Sequence, residues 1–242
     1  MNQPHDTWAA FFDFVYDRTY GHVYAGATEK TLQVINEIKP TGSLIDYGAG
    51  TGRLAIPLKQ QGYSVIAVEK STRMADEFNA KCLSHNLDIP MHACSIAEYG
   101  NGKADMAMAL FTVLSYLLTD DELEESIGVI SQHINPGGLF LFDLPGMVFF
   151  NTGRLINHQS SELQRLVDIN STSENDIYIY RETCSGRFNG KAFSYKDEFR
   201  IRYWPLTIVE KLLNKYDLKN TQKCFPQLAF TGSAYHLFQK QS

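Results

Sequence analysis

Along the first 38 residues, apolar positions recur at helical spacing. Trp8, Phe11, Phe12 and Val15 form one apolar group, and Leu32, Val34, Ile35 and Ile38 form a second before Pro40. The pattern predicts helix over about residues 6–38, divided into two by Gly21 and Gly26. The period then changes. Ser43–Tyr47 reads as a short buried strand, followed by a glycine-rich turn and a helix from Thr51 to about Gln61, ended by Gly62. Tyr63–Glu69 alternates as a strand, and Ser71 caps a helix running to about His85. Met91–Cys94 and Ala104–Leu110 are predicted as the third and fourth strands. Thr119-Asp120-Asp121-Glu122 places acids in the first turn of a helix reaching about Ile134, which suits its dipole. Pro136-Gly137-Gly138 then turns into a fifth strand, Leu139–Asp143.

Strands alternating with helices in this way predict a parallel α/β sheet over residues 40–145. Beyond Pro145 the pattern becomes antiparallel. Ile177–Thr183, Gly190–Tyr195 and Glu198–Tyr203 read as successive strands, with Ser185-Gly186 and Asn189-Gly190 as turns. A helix near Pro205–Tyr216 and two strands, about Thr221–Phe225 and Tyr235–Gln239, complete the chain. The expected organisation is one domain over residues 1–242: a helical segment (1–39), a parallel core (40–145), an antiparallel insertion (146–204) and a closing helix and strand pair (205–242).

Composition narrows the class. The 242 residues are 44% hydrophobic and 20% charged with a net charge of −5, an ordinary globular balance without a long basic run. Nucleic acid is therefore not an expected partner. No apolar stretch is long enough to cross a bilayer, and MNQPHDTW lacks the features of a secretory signal, so a cytoplasmic protein without membrane association is expected. Cys82, Cys94, Cys184 and Cys224 lie far apart, without CxxC spacing, and read as reduced thiols. The seven histidines are scattered, so no metal site is expected.

The informative stretch is Leu44-Ile45-Asp46-Tyr47-Gly48-Ala49-Gly50-Thr51-Gly52-Arg53. A strand enters a turn with glycine at every second position, and a helix opens after it. Glycine permits positive φ and close approach of a ligand to the backbone. The helix start offers free N–H groups. Glu69 closes the next strand, where a carboxylate can accept from two ribose hydroxyls.

Asp46-Tyr47-Gly48-Ala49-Gly50-Thr51-Gly52 resembles motif I of class I S-adenosylmethionine-dependent methyltransferases, (D/E)xGxGxG. A dinucleotide dehydrogenase would space its last two glycines as GxxG. The resemblance covers about residues 40–145. It implies a Rossmann-like, seven-stranded mixed sheet with helices on both faces, an N-terminal helical lid and an antiparallel insertion after the fifth strand. By resemblance, Gly48, Ala49, Gly50, Gly52 and Arg53 shape the loop under the methionine moiety, behind the strand-end acid Asp46. Glu69 holds the ribose and Lys70 flanks the adenine. Ser95 stands where the family carries an acid for the adenine amino group; its hydroxyl can still accept that bond, and Ile96 packs on the ring. Leu110 and Phe111 end the fourth strand beside the sulfonium, with simple core packing as the structural alternative for Phe111, Val113 and Leu114. In the following Thr112–Tyr116 loop, Ser115 and Tyr116 are candidates for the acceptor. Arg202-Tyr203-Trp204-Pro205-Leu206 also matches a feature of these enzymes.

Tyr16, Tyr20 and Tyr24 are spaced by four, so a continuous helix would place them on one face. The Tyr16-Asp17-Arg18-Thr19-Tyr20 segment resembles the lid of small-molecule methyltransferases. That resemblance assigns Tyr16 and Tyr20 to the cofactor and Tyr24 to the acceptor; a stripe packed on the sheet edge is the structural alternative. In the insertion, Tyr178, Tyr180, Arg181, Arg187, Tyr195, Arg200, Arg202 and Tyr203 could build an acceptor pocket, but a solvated sheet face is expected for most of them. The expected activity is methyl transfer from S-adenosylmethionine to N or O of a small-molecule acceptor, yielding S-adenosylhomocysteine. A protein or RNA methyltransferase and a non-catalytic S-adenosylmethionine-binding module are the alternatives, and a homodimer stays open. His22, Tyr116 and Asp143 are the candidates for a general base, none with a firm role.

Overall fold

The computed structural model describes residues 3–174 and 176–242. In chain order the elements are α1 (Phe12–Tyr20), α2 (His22–Ile38), β1 (Ser43–Tyr47), α3 (Ala55–Gln60), β2 (Ser64–Val68), α4 (Thr72–Ser84), β3 (Met91–His92) and β4 (Ala104–Ala109). They continue with α5 (Asp120–Gln132), β5 (Ile134–Pro145), β6 (Gly153–Gln159), β7 (Leu163–Ser171), β8 (Ile177–Phe188) and β9 (Lys191–Arg202). The chain closes with α6 (Leu206–Lys215), β10 (Leu218–Asn220) and β11 (Ser233–Lys240).

Seven strands form the main sheet in the order β10-β11-β5-β4-β1-β2-β3. β1 to β5 run parallel, and β11 is antiparallel to both of its neighbours, β5 and β10. Because strand side chains alternate, each strand feeds two cores. Leu44, Val65, Met106 and Leu141 face α2, α3 and α4, packing on Ile35, Leu58 and Phe78. Ile45, Val68, Ala107 and Phe140 face α5 and α6, packing on Leu123, Ile127 and Val209. This is the Rossmann-like architecture expected from the sequence.

Four antiparallel strands, β6-β7-β8-β9, make a second sheet after β5. Two of them, β6 and β7, are additional to the predicted strands. Ser185 and Gly186 pair within β8 instead of turning, whereas Asn189 and Gly190 do form the β8–β9 turn, both at positive φ. The expected solvated face is corrected in part. Tyr180 and Tyr195 are buried, because their face of the sheet packs under the N-terminal segment, while Arg181, Arg187 and Arg200 lie on the exposed face.

Other boundaries shift for local reasons. Gly21, at φ 50°, breaks the N-terminal helix, while Gly26 sits inside α2. Residues Asp6–Phe11 form a 3-10 turn in which Trp8 leaves helical geometry, its indole N–H donating to Asp197 at 3.0 Å. α3 begins at Ala55 because Gly52, at φ 94°, cannot sit in an α-helix. β5 starts at Ile134, so Pro136-Gly137-Gly138 lies within it, beside a register shift against β4. β3 is two residues long, and the strand expected at Thr221–Phe225 lies at Leu218–Asn220. Ser71 caps α4 as predicted, accepting from Met74 N at 3.0 Å.

Candidate active site

The turn after β1 is shaped by parallel pairing. Gly48 and Ala49 N–H groups both donate to the Val68 carbonyl, at 2.8 and 3.1 Å, which folds the loop over the end of β2. Its three glycines have positive φ but different reasons for being glycine. A Cβ at Gly48 would lie 2.4 Å from Val113, and one at Gly52 would lie 2.6 Å from Ile56. Those two admit close packing. A Cβ at Gly50 would meet nothing within 4 Å. That position faces open space above the turn.

Glu69 lies beside it. Its carboxylate accepts from Gly50 N at 2.9 Å and from Ser71 N at 2.8 Å, one oxygen each. Burial raises its pKa, opposed by these backbone donors. Asp46 is 4% exposed, and burial pushes its carboxyl up to about 7; the Arg53 guanidinium opposes the rise and Glu69 adds to it. Two acidic side chains thus flank one glycine turn. The set has acceptors for ribose hydroxyls and negative charge for a cationic ligand, which fits an adenosyl sulfonium.

At the end of β4, Phe111 and Thr112 donate to Asp143 Oδ1 at 2.6 and 3.0 Å. The Phe111 ring lies under the Arg53 guanidinium at 4.9 Å and near the rings of Tyr16 (5.5 Å) and Tyr24 (6.0 Å). Ser115 is buried with its hydroxyl unpartnered, and the buried Tyr116 hydroxyl bonds His5 Nε2 at 2.9 Å. Burial, then Arg165, lowers the His5 pKa to about 3, so that imidazole is neutral at ordinary pH.

The N-terminal segment roofs the turn. Asp13 of α1 accepts from Thr51 Oγ1 at 2.9 Å and pairs with Lys81 of α4. Asp6 accepts from the Ser71 hydroxyl. Tyr16 stacks on Phe12 at 4.5 Å, and Trp8 stacks on Tyr195 of β9 at 4.8 Å. Below these rings Arg165 of β7 makes a bidentate pair with Glu182 of β8, at 2.8 and 3.0 Å, both side chains fully buried. Tyr180 and Tyr195 hydroxyls donate to the same carboxylate at 3.1 and 2.5 Å. The guanidinium lies 4.6 Å from the Tyr16 ring centre and 5.5 Å from that of Tyr20. Its Nη1 has no hydrogen-bond partner.

Residues 44–138 match a family described as a methyltransferase domain. That stretch of the chain is thus similar to a methyltransferase domain. The chain is 31% identical over 149 residues to an uncharacterised methyltransferase of Bacillus cytotoxicus, covering 59% of this chain and 66% of that protein. The chain thus spans less than two thirds of such curated relatives; for a Geobacillus methyltransferase the share is 41%. Among solved structures, an S-adenosylmethionine-dependent methyltransferase from Clostridium acetobutylicum superposes with a TM-score of 0.82 at 19% identity, over 96% of this chain and 99% of that one. The sugar N-methyltransferase KedS8 of Streptoalloteichus gives 0.74 at 16% identity, over 96% and 93%. At these identities the likeness is one of fold.

Within the matched residues, Asp46, Gly48, Ala49, Gly50, Gly52, Arg53 and Glu69 gather at one turn, with Leu110 and Phe111 adjoining. Tyr16, Tyr20 and Tyr24 cluster across the Gly21 break, the Tyr16 ring lying 5.3 Å from each of the other two. Ser95 donates its hydroxyl proton to Glu98 at 2.7 Å, which leaves it acceptor capacity. Lys70 is exposed, and Ile96 is buried among the β1 and β2 side chains. Of the base candidates, His22 is exposed on α2, and Asp143 spends its carboxylate on backbone amides. His5, Trp8, Arg165, Glu182 and Asp197 were missed. The signal for Arg165 was its place in Leu163-x-Arg165-x-Val167-x-Ile169, where period two puts a charge on the apolar face.

Proposed function

We propose that this chain binds S-adenosylmethionine and transfers its methyl group to a nitrogen or oxygen atom of a small molecule, releasing S-adenosylhomocysteine. The observation that carries the reading is Glu69 bonded to Gly50 N at 2.9 Å, beneath the open Cβ side of that glycine. Glu69 would hold the ribose hydroxyls, and Gly48, Ala49, Gly50, Gly52 and Arg53 the methionine moiety. Ser95 and Ile96, with Lys70 at the rim, would meet the adenine, and Leu110 and Phe111 the sulfonium side. When bound, the sulfonium supplies an activated methyl group. The chain's own work is then to orient the acceptor in line and exclude water.

Tyr16 and Tyr20 close over that side as part of the N-terminal lid, and Tyr24, Ser115 and Tyr116 face the acceptor. The Tyr24 and Ser115 hydroxyls are buried without partners, as is Arg165 Nη1. Such groups are ready to bond a ligand, since buried polar atoms are rarely left unmatched. Arg165 is already neutralised by Glu182, so these donors suit an uncharged, oxygen-bearing acceptor. A neutral His5 and a Tyr116 whose pKa is raised by burial are weak proton acceptors, which favours an amine that arrives unprotonated. A protein or RNA acceptor would call for an open basic surface. The exposed Arg154, Arg181 and Arg200 are instead paired with Asp168, Glu198 and Glu174.

Calorimetric titration with S-adenosylmethionine and S-adenosylhomocysteine tests the reading, together with transfer of labelled methyl to a panel of small amines and alcohols. Saturable binding of both ligands is expected. Glu69→Gln should weaken it by about tenfold or more, because a carboxylate accepts charge-assisted bonds that an amide cannot replace. Binding of neither ligand to the unsubstituted chain would sink the proposal.

The two acids give a second prediction. With its pKa near 7 in the free protein, Asp46 is partly protonated at neutral pH. A bound cation favours the carboxylate and lowers that pKa, so binding at pH 7 should release roughly half a proton. Release should fade as pH rises above about 8, where Asp46 is already ionised. Titrations in buffers of different ionisation enthalpy read the proton count, and Asp46→Asn should abolish it.

A further inference from the structure

Two consecutive non-glycine residues, Phe111 and Thr112, take left-handed backbone at the end of β4, with φ of 74° and 67°. Phenylalanine and β-branched threonine are poorly suited to that region. A turn of this kind persists only where its surroundings hold it. Here the holder is one carboxylate. Asp143, 1% exposed near the end of β5, accepts both amide protons on Oδ1. Its place is set by strand pairing, since the preceding Phe142 lies in register with Ala109 of β4. A buried carboxylate is costly unless its bonds are made, and these two are made to backbone.

The pinned turn has two consequences. It directs the Phe111 ring to the Arg53 guanidinium, 4.9 Å away, beside Tyr16 and Tyr24. It also starts the Val113–Tyr116 3-10 turn, which sets Val113 against the Cα of Gly48. The end of β4 and the glycine turn are therefore held in register through one side chain. With both donors on Oδ1 and Thr112 N also 3.3 Å from Oδ2, Asp143 is organised to hold amides.

We propose that Asp143 is a positioning residue for the cofactor: it pins the Phe111–Thr112 turn so that the end of β4 meets the glycine turn in binding geometry. This rests on the S-adenosylmethionine reading given above. Asp143→Leu is of similar size but offers no acceptor to either amide. Thr112→Gly added to it removes a residue ill-suited to positive φ, easing the fold without restoring the pin.

Thermal denaturation and S-adenosylmethionine titration should be run on the natural chain, Asp143→Leu, and Asp143→Leu with Thr112→Gly. The single variant should melt lower and bind at least about tenfold more weakly, a size typical of small misplacement at a site. The double variant should regain melting temperature and stay weak in binding. Affinity within twofold of the natural chain in either variant would overturn the assignment, because a merely structural aspartate would lose affinity only through lost stability. Absence of binding to the natural chain would be seen first, and would condemn the cofactor reading itself.

Discussion

Gly50→Arg should abolish binding of S-adenosylmethionine and leave the fold standing. The φ of 56° at Gly50 makes any side chain there cost about 1–2 kcal/mol, a tolerable loss for a chain of this size. Space is not the obstacle, since a Cβ there meets no heavy atom within 4 Å. The arginine side chain would project into the volume above the turn and place its cation beside Glu69 and Asp46. It would take both the room and the charge offered to the ligand. Binding weakened beyond about 100-fold, with a circular dichroism spectrum and urea midpoint near those of the natural chain, is the expected pair of results. Gly48→Ala is the contrast. Its Cβ would lie 2.4 Å from Val113, so it should lose stability as well as binding. If Gly50→Arg still binds normally, the ligand does not lie over this turn.

That contrast marks the limit of what could be read in advance. The strand, turn, helix and closing acid of the glycine motif are contiguous, and local patterns of this kind carry their own context. Which glycine serves packing and which serves a ligand depends on Val113 and Ile56, and the Val113 contact is not visible as spacing. The same holds for the roof of the site. His5 N reaches Asp197 across 192 residues of chain, and Trp8 departs from helix to join it. The alternation of β6 and β7 was obscured by charged side chains, among them Arg154, Arg165 and Asp168. One of these, Arg165, is on the buried face because Glu182 waits two strand positions before Cys184 on the neighbouring strand. Asp143 stood out in sequence as an acid at a strand end, which suggested a base. Only its two amide donors reveal a different use.

Arg165→Met should be the most destabilising single change in the insertion, by about 3–5 kcal/mol. The Arg165–Glu182 pair is wholly buried, and methionine would leave the carboxylate with two tyrosine hydroxyls and no cation. The loss lies in the stranded charge more than in the lost attraction, because burying both ions already costs much of what their pairing returns. Arg165→Met combined with Glu182→Gln should therefore recover most of the stability. The amide keeps an oxygen for the Tyr195 hydroxyl and removes the charge. Urea denaturation of both variants reads the difference, and a double variant as unstable as the single one would refute the charge argument. Recovery of the fold should not bring recovery of catalysis. The guanidinium lies 4.6 Å from the Tyr16 ring centre, and Tyr16 in turn lies 5.5 Å from Phe111, so the pair is one aromatic ring away from the end of β4. With the cation gone, the roof loses its hold on those rings and the acceptor loses the Nη1 donor. The double variant should lose more in the rate of methyl transfer than in affinity for S-adenosylmethionine, because the Nη1 donor is lost to the acceptor outright.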